Sequence, residues 1–539
     1  MAPARSTSRR RSPLGTVAFV GAGPGDPGLL TVRAVEVLAR ADVVVLERPE
    51  HRSLLHSCRP EVEILDAACG EDGQPLSQVQ RARLVTRAAK GARLVVRLMS
   101  GDPGTFNGLS EEAAACAKLG VPIEIVPGVS AVSGVPAYAG VPLTSSAARR
   151  VHVLPGAGAE TDWGWHAAAD TTLVLLGDER EVSAAAQALV GAGRDPQTPV
   201  AVTADGTTSA QRTLISTLER VASELDTAGL GPRLVTVVGD VVAVREQLSW
   251  YETKPLFGWR VLVPRTKDQA AALTARLRAH GAVPEEVPTI SVEPPRNPQQ
   301  MERAIRGLVE GRYEWIAFTS VNALKAVRER LQECGRDARA LSGLKGAAVG
   351  ERTAEGLQAW GITPDLVPGG EQSAQGLVAD WPPYDDVLDP IDRVFLPRAD
   401  IATETLVAGL RELGWEVDDV TAYRTVRAAP PAAAVREAIK AGRFDAAVFT
   451  SSSTVRNLVG IAGKPHPATV VACIGPQTAR TAEDHGLHVD VIADSPSAEA
   501  LADALAEHGA AHRRTVVEPD EVKARPSDKR RSASKHTAT

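Results

Sequence analysis

Apolar and polar positions along the chain alternate in blocks rather than singly. Short runs of buried type end in small or hydroxyl residues and then give way to helix-like periodicity. The clearest block is the apolar run Asp445-Ala446-Ala447-Val448-Phe449, which closes into Thr450-Ser451-Ser452-Ser453-Thr454 and opens a helical pattern at Val455-Arg456-Asn457-Leu458-Val459. A buried strand feeding a helix N-terminus through hydroxyl residues leaves free amides and the positive end of the helix dipole together, an arrangement that favours anions. Ser and Thr are also good N-caps, so one such stretch carries little weight by itself.

The block has an earlier copy. Arg312-Tyr313-Glu314-Trp315-Ile316-Ala317-Phe318-Thr319-Ser320 parallels Arg443-Phe444-Asp445-Ala446-Ala447-Val448-Phe449-Thr450-Ser451. In the same order, Arg260-Val261-Leu262-Val263-Pro264-Arg265 returns as Arg393-Val394-Phe395-Leu396-Pro397-Arg398, and Ala347-Ala348-Val349-Gly350 as Ala472-Cys473-Ile474-Gly475. The second half is therefore an internal duplication of a strand-turn-helix unit. Two copies are too few for a solenoid and predict two α/β lobes, whose ligands sit beyond the strand C-termini.

The first half shows the same grammar without the repeat. Buried strands are predicted at 15–21, 41–46 and 93–98, with a helix from about 29 to 39 and an irregular polar stretch over 51–80. Each strand runs into a small-residue loop: Gly21-Ala22-Gly23-Pro24-Gly25-Asp26-Pro27-Gly28, then Leu46-Glu47-Arg48, then Met99-Ser100-Gly101-Asp102-Pro103-Gly104. The first of these is not a dinucleotide fingerprint, because Asp26 stands where the third glycine belongs.

Length and charge narrow the picture. A chain of 539 residues exceeds a single core, and 44% apolar with 4% aromatic residues suits a globular α/β protein. The five cysteines form no CxxC pair, so neither a metal site nor a disulfide framework is indicated. The N-terminus lacks the apolar core of a secretion signal, and no apolar run approaches a membrane span. The expected setting is a reducing cytoplasm. The formal net charge is −6, of which residues 1–12 and 511–539 carry +4 each, leaving −14 for the body. The expected layout is a disordered basic tail (1–12), a first domain (13–252), a connector (253–259), a second domain (260–508) and a disordered basic tail (509–539). An acidic body argues against nucleic acid as the main ligand.

The ordered motifs carry two resemblances. Residues 15–252, through the three loops above together with Val126-Pro127-Gly128-Val129-Ser130-Ala131 and Val237-Val238-Gly239-Asp240, resemble the tetrapyrrole methyltransferase family, most closely uroporphyrinogen-III C-methyltransferases. The resemblance implies a bilobal fold, a dimer, and S-adenosylmethionine held at Pro24, Ser100, Gly101, Asp102, Thr105, Ser130, Ala131, Leu176 and Gly206, with Glu47 as a catalytic carboxylate. The chain departs from the family pattern at Ser100, where glycine is usual. It also lacks the basic residues expected in 66–70 and 106–110. Residues 258–508, through Phe318-Thr319-Ser320, Leu396-Pro397-Arg398, Thr421-Ala422-Tyr423-Arg424-Thr425, Phe449-Thr450-Ser451-Ser452 and Ile474-Gly475-Pro476-Gln477-Thr478, resemble uroporphyrinogen-III synthases.

The synthase resemblance implies two α/β lobes joined by extended crossings, near 287–290 and 422–425. One lobe is formed from 260–287 with 426–508, the other from 293–421. It also implies cyclisation of hydroxymethylbilane to uroporphyrinogen III without metal or redox cofactor. Arg265, Thr319, Ser320, Arg398, Thr450, Ser451, Ser452, Gly475 and Thr478 are the expected readers of its carboxylates. Tyr423 is the expected acid for the leaving hydroxyl; a phenol is a weak donor, so its loss should slow rather than abolish turnover. The sequence thus points to two consecutive enzymes, with S-adenosylmethionine-dependent methylation of uroporphyrinogen III toward precorrin-2 following its synthesis. The alternative is an active synthase joined to a methyltransferase-like module that does not turn over.

Overall fold

The computed structural model describes residues 14–70, 73–158, 160–265 and 267–516. The expected basic tail at 1–12 lies outside these residues. So does 517–539, whereas the first part of the second tail is helical, because the helix Ala498–Val516 continues through it. The chain forms two compact units. Among the described residues, the first comprises residues 14–259 with Leu277–Val283 and Gly509–Arg514; the second comprises Arg260–Arg276 with Pro284–His508. The expected connector at 253–259 therefore belongs to the first unit, with Leu256 and Trp259 buried in it.

The first unit holds two five-stranded sheets. Strands β1 (Thr16–Gly21), β2 (Val43–Leu46), β3 (Glu63–Asp66), β4 (Leu94–Met99) and β5 (Ile123–Val126) pair in the order β3-β2-β4-β1-β5, all parallel. A parallel sheet needs crossovers, so every strand's C-terminal end meets a loop on the same edge. The second sheet contains β6 (Arg150–Leu154), β7 (Thr171–Gly177), β8 (Pro199–Ala204), β9 (Arg212–Thr217) and β10 (Leu234–Val238), in the order β6-β7-β10-β8-β9. Here β10 runs antiparallel between β7 and β8, so its first residue lies beside Gly177 and Ala204 at their C-terminal ends.

Two local expectations differ from the structure. The helix expected from residue 29 begins later, at Val32–Leu38, where the Thr31 side chain accepts from the Ala34 amide and caps it. The stretch 51–80 is not wholly irregular: it contains β3, an edge strand mostly exposed and therefore without a clean apolar pattern.

The second unit confirms the duplication as architecture. One sheet orders β12 (Val283–Glu286), β11 (Arg260–Val263), β18 (Ala446–Phe449), β19 (Val470–Cys473) and β20 (Val491–Ile492). The other orders β13 (Ile290–Glu293), β17 (Glu416–Arg427), β16 (Arg393–Ala399), β14 (Trp315–Phe318) and β15 (Lys345–Ala348). The repeated motifs occupy equivalent strands. Phe318 pairs with Ala348 where Phe449 pairs with Cys473. The first crossing is tied by the Thr289 hydroxyl donating to the Pro264 carbonyl at 3.2 Å. Residues 422–425 lie inside the twelve-residue strand β17, where Tyr423 still pairs parallel with β16 and Arg424–Arg427 pair antiparallel with β13.

Phe449 and Phe318 are fully buried, each in the core on one side of its sheet. Phe449→Ala is expected to destabilise the second unit by about 3–5 kcal/mol. The check is the urea midpoint of the second-unit transition, which should fall while that of the first unit holds.

Candidate functional site

In the first unit, the loops after β1, β4 and β5 lock onto one another through backbone. The Gly23 amide donates to the Gly101 carbonyl at 3.1 Å and the Gly101 amide to the Gly23 carbonyl at 2.8 Å. Gly101 takes φ +61°, and a Cβ on Gly128 would sit 2.3 Å from the Gly101 carbonyl oxygen, so neither position admits a side chain. The Asp102 carboxylate accepts from the Gly104 and Gly128 amides at 2.9 and 3.1 Å and from the Thr105 hydroxyl at 3.2 Å. Asp102 and Thr105 therefore hold the loop in shape. Ser130 caps the helix Ala131–Tyr138.

The second sheet closes on this junction. Pro24 packs beside Gly134, Gly206 beside Val135, and Leu176 belongs to the apolar cluster that includes Ala131 and Val135. The Asp26 amide donates to the Thr207 hydroxyl at 3.0 Å, and the Tyr138 hydroxyl donates to the Asp26 carboxylate at 2.7 Å. Phe106, Asp205 and Thr207, on loops after β4 and β8, all take positive φ without being glycine. Such strain persists where the surroundings over-determine it, commonly at ligand sites. The nine expected cofactor positions thus lie at one junction. The clamp Asp26–Thr207–Tyr138 was missed, because its partners lie 181 and 112 residues apart.

Beside the junction, at the end of β2, lies a buried ion network. Arg97, fully buried in β4, donates to Glu112 at 2.9 and 3.0 Å and to Glu47 at 2.7 Å. Arg81 adds a contact to Glu47 at 3.1 Å. Burial pushes the Glu47 carboxyl up, but the charges of Arg97 and Arg81 outweigh it and hold it below the ordinary carboxylate value. Glu47 is thus an anchor for two guanidinium groups, which favour its charged form.

His51 is buried against this network, its Nε2 3.4 Å from the Ser100 hydroxyl and its Nδ1 without a partner. Burial, with the Arg48 charge beside it, lowers the imidazole from 6.5 to about 4.

The second unit places its expected residues at matching strand ends. Ser320 caps the helix Val321–Glu333, and Ser451 caps Ser452–Ala462. Gly350 and Gly475 begin the helices Glu351–Ala359 and Pro476–Asp484 with no cap of their own, and at the first of them the Glu351 amide donates to the Gln372 side chain at 3.3 Å. Each lobe thus offers one hydroxyl-capped and one glycine-started helix side by side. Tyr423, on β17, has its hydroxyl 3.0 Å from that of Ser320. Thr319 lies beside that cap, half-buried, at the end of β14. The Thr450 hydroxyl oxygen is buried with no partner.

Arg265, half-buried after β11, lies within electrostatic reach of Arg352 on the glycine-started helix; burial and that like charge lower its pKa. Arg352 was missed, although Gly350-Glu351-Arg352 is the repeat equivalent of Gly475-Pro476-Gln477.

Three expected readers turn inward. The Arg398 guanidinium is buried and donates to Asp419, Glu404 and the carbonyls of Ala402 and Thr403, so it fixes its own loop. Thr478 is buried inside its helix. The Ser452 hydroxyl is engaged by Thr481 at 2.8 Å and by the Gln477 carbonyl at 3.3 Å.

Comparison with known proteins follows this division. Residues 16–222 match the family model for tetrapyrrole (corrin/porphyrin) methylases, and residues 271–503 that for uroporphyrinogen-III synthase HemD. The porphyrin biosynthesis protein HemD of Ruminiclostridium josui is 30% identical over 508 residues, covering 92% of this chain and 98% of that one. The uroporphyrinogen-III C-methyltransferase of Bacillus subtilis is 31% identical over 378 residues, 67% of this chain and 77% of that one. Among solved structures, a uroporphyrin-III C-methyl transferase from Thermus thermophilus, complexed with S-adenyl homocysteine, is 32% identical over 43% of this chain and 94% of its own, with a TM-score of 0.37.

The chain belongs to the family that joins a tetrapyrrole methylase domain to a uroporphyrinogen-III synthase domain of the HemD type. It is an enzyme of tetrapyrrole biosynthesis. Among the described residues no helix is long and apolar enough to cross a membrane.

The refused proton on His51 sets a pH dependence. Between its ordinary value of 6.5 and about 4 the unfolded chain takes up a proton that the folded site rejects. Stability therefore falls as pH drops through this window and is fully present above it, by up to about 3 kcal/mol. His51→Gln is expected to flatten that slope, read as the melting temperature of the first unit between these pH values.

Proposed function

We propose that the second unit cyclises hydroxymethylbilane to uroporphyrinogen III and that the first methylates this product with S-adenosylmethionine, toward precorrin-2. The observation that carries the reading is the order of family matches along one chain, each over a unit with its own ligand edge at the strand ends.

In the second unit, the substrate is a linear polycarboxylate. The helix start at Gly475 and the Arg265–Arg352 pair supply amides and positive charge for its carboxylates. Tyr423 donates its hydroxyl proton to the leaving hydroxyl, which departs as water. The pyrrole-stabilised cation is attacked by the substituted α-carbon of the terminal pyrrole; the bond from that carbon to its own methylene bridge then breaks, and the bridge re-forms at the same pyrrole's free α-carbon, which inverts the ring. The closed ring then loses a proton, and the phenolate regains one. Ser320, 3.0 Å away, orients the phenol. Folding the substrate correctly does much of the work, because a well-oriented intramolecular reaction needs little further assistance.

In the first unit, the residues present fit the cofactor. Around Gly101 and Gly128 the wall is bare main chain, and Leu176 with Val135 adds an apolar surface suited to a purine. Pro24, Ser100–Asp102, Ser130–Ala131 and Gly206 would hold it. When bound, S-adenosylmethionine supplies an electrophilic methyl group. Asp102 and the Asp26–Thr207–Tyr138 clamp keep the loops in place for it.

The test is a coupled assay on full-length protein given hydroxymethylbilane and methyl-labelled S-adenosylmethionine. Label in a dimethylated tetrapyrrole is the expected result. Unlabelled uroporphyrinogen III would leave a synthase joined to a methyltransferase-like module without turnover. The uninverted type-I ring alone would overturn the synthase assignment. Tyr423→Phe is expected to slow cyclisation by about 10²-fold without changing the isomer formed, measured by product chromatography.

A further inference from the structure

The ligand edge of the first sheet divides in two. The loops of β4, β1 and β5 form the backbone junction, whereas β2, next to β4 on the other side, ends in charge. Arg48 follows β2 after Glu47, and four guanidinium groups gather there, on Arg48, Arg81, Arg97 and Arg233. Arg97 is committed to Glu47 and Glu112, Arg81 touches Glu47 at 3.1 Å, and Arg233 meets Glu50 at 2.9 Å. Three carboxylates thus face four cations.

The surplus falls on Arg48. It is half-buried and, among the described residues, pairs with no carboxylate, yet it lies within electrostatic reach of Arg233, Arg81, Glu47 and Glu50. A partly desolvated guanidinium near two other guanidinium groups is costly unless an anion joins them. Arg233 reaches the cluster from the other lobe. It directly precedes β10, beside the C-terminal ends of β7 and β8, so the cations come from both sheets. The neighbouring loop segments 66–70 and 106–110 contribute no cation. The junction that fits the cofactor and the surplus charge are therefore adjacent along one sheet edge.

We infer that Arg48, Arg81 and Arg233 form a carboxylate-binding wall that seats the polycarboxylate methyl acceptor beside the cofactor junction. Arg97 and Glu112 are positioning residues, and Glu47 is the hinge through which they aim Arg81. This rests on the methyl-transfer reading above. It adds that acceptor affinity in this chain comes from guanidinium groups and weakens with salt.

The experiment uses the full chain, labelled S-adenosylmethionine and added uroporphyrinogen III. Arg48→Ala and Arg81→Ala are each expected to raise KM for the acceptor about tenfold or more, with S-adenosylhomocysteine still bound. Arg81→Lys, which keeps the charge without the fork, should recover part of the loss. Because Arg81 also supports Glu47, Arg233→Ala provides a second reading from a half-exposed side chain outside the core. Acceptor KM values within twofold of the parent in all three alanine variants would overturn the inference.

Should the parent transfer no label, the methyl-transfer reading fails by itself. Calorimetric titration with uroporphyrin III then decides the wall: weaker binding in Arg48→Ala and Arg81→Ala sustains it, and unchanged binding removes it.

Discussion

Parallel strand pairing is the constraint from which the rest of this molecule follows. A parallel strand cannot return to its neighbour without a crossover, so strand ends and helix starts accumulate on one edge of a sheet. That edge collects unpaired amides and small-residue loops whether or not a ligand is present. The first sheet is wholly parallel, and both sheets of the second unit are parallel apart from the edge pairing of β13 with β17, among the pairs described. The chemistry of each unit is written on those edges, with apolar strands behind them as support.

The duplicated lobes show how one edge can be used in two ways. Where serine starts a helix, its hydroxyl satisfies an amide and fixes the entry of the chain, as at Ser320 and Ser451. Where glycine starts it, the cap residue itself takes no amide, as at Gly350 and Gly475, although the Gln372 side chain reaches the Glu351 amide at the first of them. The hydroxyl-rich stretches attract notice in the sequence, whereas the glycine starts are quieter there. Tyr423 gains its place from the same logic, since the capping serine is also its hydrogen-bond partner.

What the sequence disclosed was local. Strand-turn-helix blocks, the repeat and both family resemblances sit within short windows, and all of these match the observed strands. Partners far apart were not legible. Arg97 reads as an ordinary strand residue, yet it is the centre of a buried ion network because Glu47 and Glu112 converge on it from 50 and 15 residues away. Arg398 reads as a cation at a ligand edge, yet Asp419 and Glu404 consume it. A motif records that a charge lies beyond a strand; whether that charge is free depends on side chains that only the fold brings near.

The insertion of one lobe within the other has a consequence for how the polypeptide acquires its structure. Strand β11 waits for β18, and the buried Asp445 accepts from the Arg260 amide across 185 residues. Everything between, including the complete inner lobe, leaves the ribosome before that contact can form. The inner lobe therefore can finish folding first and deliver the ends of the outer one close together, which shortens the loop that must close. Slow pairing at β11, with its apolar face uncovered meanwhile, makes the outer lobe the step most exposed to misassembly.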